Sequence, residues 1–251
     1  MRDGIAETYL LNSRNLKFYK KNKKAHQTHY RENIVKLTKY AYTTYANLEQ
    51  FDLPKVDENL IKMKSFADVI LSRESVRDYS DKPITLKELS TLLFYSAGVK
   101  RMEPTRKRTA PSGGNLNSVD LYFFNTNIKD LPKGFYFYDF MVHKIILIEK
   151  GDFKEKISEE ILYQPELSDA AILFIFISKF ERLRSKYGPR ALRITHIDCG
   201  ALYQNIHIVA ESMNFGSCAI GGVIETEIEK LLDIDGVDNF VLLAQTVGNK
   251  K

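Results

Sequence analysis

The chain has 251 residues, 44% apolar and 27% charged, with only 7 prolines and 13 glycines, which excludes a staple-dependent miniprotein and a disordered or collagenous chain. Two cysteines exclude a disulfide framework and point to a reducing, cytoplasmic setting. The formal charge of +5 is uneven: residues 1–64 carry 13 Lys/Arg against 7 Asp/Glu, most of the surplus in KFYKKNKK at 17–24. No zinc-finger, RNP-like or helix-turn-helix pattern accompanies it, so it reads as a solvated basic face rather than a nucleic-acid surface. The longest apolar run, Ala170 to Ile177, is far short of the roughly 20 residues of a membrane span, and the N-terminus has no secretory pattern.

In chain order, residues 30–49 place Ile34, Leu37, Tyr40, Ala41 and Tyr45 at the spacing of one amphipathic helix. A turn at 52–55 precedes a helix over Phe66–Leu71, and SRESVRDYSDKP after it reads as a loop. Thr85 and Glu88 form a capping box ahead of Leu86, Leu89, Leu92 and Leu93, and Gly98 ends that helix. Residues 100–117 have no hydrophobic period and read as a long functional loop. VDLYFFN, GFYFYD and HKIILIEK are strands of an antiparallel sheet, and Asp152 caps a helix over GDFKEKISEEIL. AAILFIFIS, apolar on both alternating faces, is a central strand covered on both sides. Ile194, Ile197, Ala201, Leu202, Ile206, Val209 and Met213 mark a long helix closed by Gly216, followed by a strand and turn at SCAIGGV. Thr226 and Glu229 form a second capping box for a helix through Leu232, and FVLLAQTVG is the last strand. This irregular order of elements predicts an α+β fold with a central, mainly antiparallel sheet flanked by helices.

The chain has no phosphate-loop, nucleophile-elbow or dinucleotide-binding glycine motif, which removes common kinases, hydrolases and Rossmann dehydrogenases. His26, His29, His143, His196 and His207 include no H-E-x-x-H pair, and Cys199 and Cys218 lie 19 positions apart, so no metal site is expected. His26 and His29 read as surface residues. Three other strings share one chemistry, recognition of an anion joined to a flat heterocycle. Arg73, Ser75 and Arg77 alternate, so an extended backbone presents two guanidinium forks and a hydroxyl on one side, a set suited to phosphate. In APSGGNLN, paired glycines let a ligand approach the backbone while Ser112 and Asn115 offer hydrogen bonds. Gly221-Gly222 in AIGGV follow a strand and can aim backbone N–H groups at a ring edge.

Over residues 65–248 these strings in order, with the strand-like GFYFYD and DCGALYQNIHIVAESMNFG, resemble the FMN-dependent nitroreductase superfamily and most of all its SagB-type branch, the azoline dehydrogenases of ribosomally made peptides. Asp198, Gly200, Gln204, Asn205 and Ala210 match the family pattern D-x-G-x-x-x-Q-N-x-x-L-x-A. The resemblance implies that Arg73, Ser75 and Arg77 contact the flavin and its phosphate, and that Ser112, Gly113 and Asn115 lie along the isoalloxazine. It also implies that Gly221 and Gly222 form the turn donating toward flavin N5. Lys250 and Lys251, at the end of VGNKK, are candidates for a further phosphate contact. Lys186-Tyr187, with Gly188 and Arg193, resemble the Lys-Tyr pair of azoline dehydrogenases and are the expected catalytic residues, acting together on the Cα proton.

The expectation is thus a basic helical extension over 1–64 and a nitroreductase-like FMN domain over 65–251. As in its relatives, a homodimer would build each FMN site at the subunit interface. The implied function is oxidation of thiazoline or oxazoline rings in a precursor peptide, with electrons returned to dioxygen and a cyclodehydratase as a candidate partner for the basic N-terminus. The alternatives are a general NAD(P)H-dependent nitroreductase or quinone reductase acting on a small molecule, and a noncatalytic flavin-binding subunit of a peptide-modifying complex.

Overall fold

The computed structural model describes residues 5–13, 41–61, 64–102 and 106–251. The basic stretch 17–24, His26, His29 and positions 30–40 of the first expected helix lie outside them. The elements in order are α1 (Ile5–Asn12), β1 (Gln50–Asp52), α2 (Glu58–Ile61), α3 (Phe66–Ser72), α4 (Leu86–Ala97), β2 (Val99–Arg101), β3 (Lys107–Arg108), β4 (Val119–Asn125), β5 (Gly134–Asp139) and β6 (Lys144–Lys150). They continue with α5 (Lys154–Lys156, extended by a π turn over Ile157–Ile161), β7 (Ile172–Lys179), α6 (Phe180–Tyr187), α7 (Ala191–Ser212), β8 (Phe215–Ile220), α8 (Glu225–Leu232) and β9 (Asn239–Asn249). The seven-stranded sheet is antiparallel at every pairing, in the order β1-β6-β5-β4-β7-β9-β8.

Alternation along β7 explains why the sheet is covered on both faces. Ile172, Phe174 and Phe176 enter one core with Leu89, Leu92, Leu202 and Ile206 of α4 and α7, while Leu173, Ile175 and Ile177 enter a second with Ile157, Ile161 and Ile228. All six are buried, which is the pattern of a central strand.

Helix α4 begins as its sequence predicts: Thr85 Oγ1 accepts from Glu88 N at 3.2 Å, Glu88 Oε2 accepts from Thr85 N at 2.7 Å, and Gly98 is the C-cap. The other box does not form. Helix α8 starts two residues earlier than a Thr226 cap requires, with Ile224 as N-cap and no side-chain bond, and Glu229 turns instead to Val241 N at 3.4 Å. Helix α7 likewise ends at Ser212, before the glycine expected to close it, and Asn214 takes the left-handed conformation at φ 62°. Gly216 lies in β8, where a Cβ would stand 2.6 Å from Val76 Cγ1, so its small size serves the close approach of the Arg73–Tyr79 segment.

Three other expectations change. Ala41–Glu49 is not helical: the Thr43 hydroxyl donates to Asp120 and the Tyr45 hydroxyl meets that of Tyr122 at 2.7 Å before the chain enters β1. Satisfying buried polar groups overrides the local helical period there. Residues 100–117 contain the β2-β3 ribbon, because Arg108 is drawn inward to Ala97 O at 2.8 Å and packs over Phe140 at 3.9 Å. The segment before α7, where the sequence pattern marks no element, forms α6. No described helix is long and apolar enough to cross a membrane.

The two capping boxes give a direct test. Thr85→Ala should lower stability by about 1 kcal/mol, whereas Thr226→Ala should change it by less than about 0.5 kcal/mol; urea midpoints of the two variants measure both.

Candidate active site

The loop ahead of β4 is anchored from below by α7. Asp198 accepts from Ser118 Oγ at 2.6 Å, from Ser112 Oγ at 3.0 Å and from Gly113 N at 2.9 Å. Ser112 Oγ in turn accepts from Asn117 N at 2.8 Å, and Asn115 Nδ2 donates to Arg106 O at 3.0 Å. The polar groups of Ser112 and Asn115, expected beside a ligand, therefore make bonds within the protein. Burial raises the Asp198 carboxyl above the ordinary range, opposed by these hydrogen bonds and by the charge of Arg108.

Gly114 carries the loop across the tops of α6 and α7 with φ 62°. A Cβ at Gly114 would stand 2.6 Å from Lys186 Nζ and 2.8 Å from the Tyr187 hydroxyl. The expected catalytic pair, set at the end of α6, thus meets over a bare stretch of backbone. Lys186 Nζ also lies 5.0 Å from the centre of the Tyr187 ring, within cation–π range.

Arg73, Ser75 and Arg77 lie elsewhere, along the β8 edge. Ser75 bridges to Ser217, Val76 N donates to Ser217 O at 3.0 Å, and the Tyr79 hydroxyl donates to Val76 O at 2.6 Å. Ser75 and Arg77 are exposed and Arg73 is half-buried. Beside Arg73, buried His207 meets Ser217 Oγ through Nδ1 at 2.5 Å; burial, with the Arg73 charge adding to it, lowers this imidazole to about 4. The C-terminal lysines converge on the same end. Lys250 pairs with Glu211 Oε2 at 2.7 Å, Lys64 with Glu211 Oε1 at 2.5 Å, and Ser72 Oγ donates to that oxygen at 2.7 Å. Burial works to raise the Glu211 carboxyl, but the bonds from Lys250, Lys64 and Ser72 outweigh it and hold it low. Lys251 pairs with exposed Asp78 at 3.1 Å.

Gly221 and Gly222 follow β8. Among the described residues, no atom beyond its chain neighbours lies within 4 Å of a Gly221 Cβ position, whereas Gly222 backs onto Tyr163. Ser217 and Gly221 are about 13 Å apart along the strand. The Ser112–Asn115 loop precedes β4, three strand intervals or about 14 Å across the sheet from β8. One chain therefore sets its expected site residues apart: Arg73, Ser75 and Arg77 gather at one end of β8, Ser112, Gly113, Asn115, Lys186 and Tyr187 gather near the start of α7, and Gly221 and Gly222 stand about as far from either group.

Three features had no local signal. Lys64 and Glu211 meet from 147 positions apart. Asp120, fully buried, forms an ion pair with Arg182 at 2.8 Å; burial opposes its ionisation, and the guanidinium prevails and holds the carboxyl low. Beside that pair is a cavity of about 410 Å³ lined by Tyr42, Thr43, Leu116, Glu181, Arg182 and Ser185. Among the described residues no group of three or more His, Cys, Asp or Glu converges as a metal site.

The site thus combines an antiparallel sheet, a long helix across it, and cations and paired glycines along one edge strand. Residues 70–249 match the model of the nitroreductase family. A Methanocaldococcus jannaschii protein named as a nitroreductase is 30% identical over 201 residues, covering 80% of this chain and 96% of that one. The chain belongs to the nitroreductase family. Among solved structures, a protein of Anabaena variabilis described as a nitroreductase matches with a TM-score of 0.68 and 23% identity, over 81% of this chain and 42% of that one. The microcin synthetase McbBCD complex of E. coli, with truncated pro-MccB17 bound, contains a chain that matches with a TM-score of 0.65 and 15% identity. That match covers 99% of this chain and 92% of the other. These likenesses establish the nitroreductase-like fold.

His207 gives the site a pH signature. Its imidazole is lowered to about 4 in the folded protein, against about 6.5 for a free histidine, so the unfolded chain binds the extra proton between these values. Stability should therefore rise with pH across this window, and its loss on acidification should be on the order of 2–3 kcal/mol. Denaturant midpoints taken from pH 4 to 7 should lose this part of their slope in His207→Gln.

Proposed function

We propose that the chain is an FMN-dependent dehydrogenase that aromatises thiazoline or oxazoline rings in a ribosomally made peptide. The observation that carries the reading is the meeting of Lys186 Nζ and the Tyr187 hydroxyl over Gly114, since general nitroreductases have no need of a lysine-tyrosine pair for proton abstraction. The likeness to a chain of the McbBCD microcin synthetase complex, which has truncated pro-MccB17 bound, extends over nearly the whole chain and adds support for peptide modification within a multi-subunit assembly.

The residues present fit FMN. Arg73, Arg77 and Lys250 gather positive charge at one end of β8 for a phosphate, and the unobstructed Gly221 position lies at the other for a ring edge. When bound, the flavin supplies the two-electron acceptor for a hydride. The protein's part is to remove the substrate Cα proton. Lys186 and Tyr187 together do this, the amine and the phenol both facing the same stretch of backbone at Gly114. Each ring loses one proton and one hydride, two hydrogens in all.

The second half of the proposal is a homodimer. The two groups of site residues lie far apart within one chain, and a second copy can bring the Lys186 group of one protomer to the Arg73 group of the other. Exposed apolar side chains on α3 and α7, Phe66, Leu71 and Ile197, offer surface for such an interface.

The purified protein should be yellow and should remove about 2 Da per ring from an azoline-bearing peptide. Lys186→Ala combined with Tyr187→Phe should keep FMN and lose at least about 100-fold in turnover. Undiminished oxidation by that variant would refute the catalytic assignment. Rapid bleaching by NADPH without peptide mass loss would instead establish the general nitroreductase that the M. jannaschii relative's name describes.

A further inference from the structure

The anchoring of the Ser112–Ser118 loop has a consequence for the residues above it. Asp198 is buried, and its carboxylate takes bonds from three groups of that one loop, the two hydroxyls of Ser112 and Ser118 and the Gly113 amide. Both oxygens are engaged, so the carboxylate is not itself placed to act as a base. Arg108 supplies the nearby positive charge while bonded to Ala97 O and to Asn117 Oδ1 at 3.0 Å. The loop lies close against α7, since the Ile194 side chain occupies the place of a Gly113 Cβ. Gly114, the next residue, is the surface on which Lys186 Nζ and the Tyr187 hydroxyl converge. The loop is thus a wedge one residue thick between a buried carboxylate and the lysine-phenol pair. The Gly113 amide held by Asp198 belongs to the Ser112–Gly113 peptide unit, a single Cα away from the unit that leads into Gly114, so fixing that amide restricts where Gly114 can stand.

We propose that Asp198 is the positioning residue of the Lys186–Tyr187 pair: by pinning the Gly113 amide and the two serine hydroxyls, it sets where Gly114 stands and thereby how the lysine amine and the phenol are held toward each other. The inference rests on reading the pair as the proton-handling group, but its test needs neither turnover nor bound flavin. A helix carboxylate is suited to the task. It is fixed to the most extensively packed helix of the fold, and it accepts several donors at once, which a neutral side chain does less strongly.

The test uses the full-length protein with 3-fluorotyrosine in place of tyrosine, the ¹⁹F resonance of position 187 being assigned by its loss in Tyr187→Phe. In Asp198→Ala this resonance should move toward its position in the denatured protein. Asp198→Asn should restore it, because the amide oxygen still accepts from Gly113 N and the amide nitrogen can donate to a serine hydroxyl. Ser118→Ala, which removes one bond and is the milder change should Asp198→Ala fail to fold, should give an intermediate shift. Leu121→Ala, a buried change in β4 outside the loop, controls for general destabilisation and should leave the resonance in place. The proposal is overturned if Ser118→Ala leaves the signal at its native position, or if Leu121→Ala moves it as far as Asp198→Ala does. If the resonance behaves as expected and no azoline is oxidised, the proposed function falls and the positioning role stands.

Discussion

Two carboxylates on one buried helix are the constraint around which the site is built. Asp198 and Glu211 sit on α7 about 20 Å apart along its axis. Each is almost without solvent, where an uncompensated charge is costly. The compensation differs at the two ends. Asp198 is met by hydroxyls and a backbone amide, with Arg108 near, whereas Glu211 is met by two lysines and Ser72. Apart from Ser72, the last residue of α3, the groups drawn in belong to loops or to the end of the chain. The helix therefore orders the lysine-tyrosine end and the cationic end by the same device.

The sheet supplies the spacing. With β4 and β8 separated by β7 and β9, the loop before β4 and the turn after β8 leave the sheet about 14 Å apart. The Arg73–Tyr79 segment can lie against β8 only because Gly216 leaves room for Val76. Tyr79 then locks the segment, its hydroxyl bound to Val76 O and set 2.8 Å from Thr246 Oγ1, with burial raising its pKa far above that of a free phenol. A rigid edge with exposed guanidinium groups and a distant acid-base pair is a coherent arrangement once a second copy is placed against it.

How far the sequence reveals this follows from the range of each interaction. The strands and α4 were legible, since alternation in β7 and the Thr85–Glu88 box are local patterns with local causes. Thr226–Glu229 has the same pattern and fails because Glu229 has a more distant partner in β9. The helical spacing at Ala41 and Tyr45 yields to the needs of Asp120 and Tyr122, about 77 positions away. At the site, the residue types of R-x-S-x-R and P-S-G-G could be read as ligand-binding chemistry. That Ser112 turns to Asp198, that Lys64 joins Lys250 on Glu211, and that Lys186 and Tyr187 face Gly114 are long-range facts with no signature in spacing.

The central claim, that the Arg73 end of one protomer works with the Lys186 end of another, is open to a single measurement. One variant carries Arg73→Ala and Arg77→Ala, the other Lys186→Ala and Tyr187→Phe, and each alone should be inactive in azoline oxidation. Chains of the two kinds, unfolded and refolded together in equal amounts, should recover roughly a quarter of the native activity, because half the dimers are mixed and each mixed dimer has one intact site. No recovery in a preparation shown to contain mixed dimers would contradict the account.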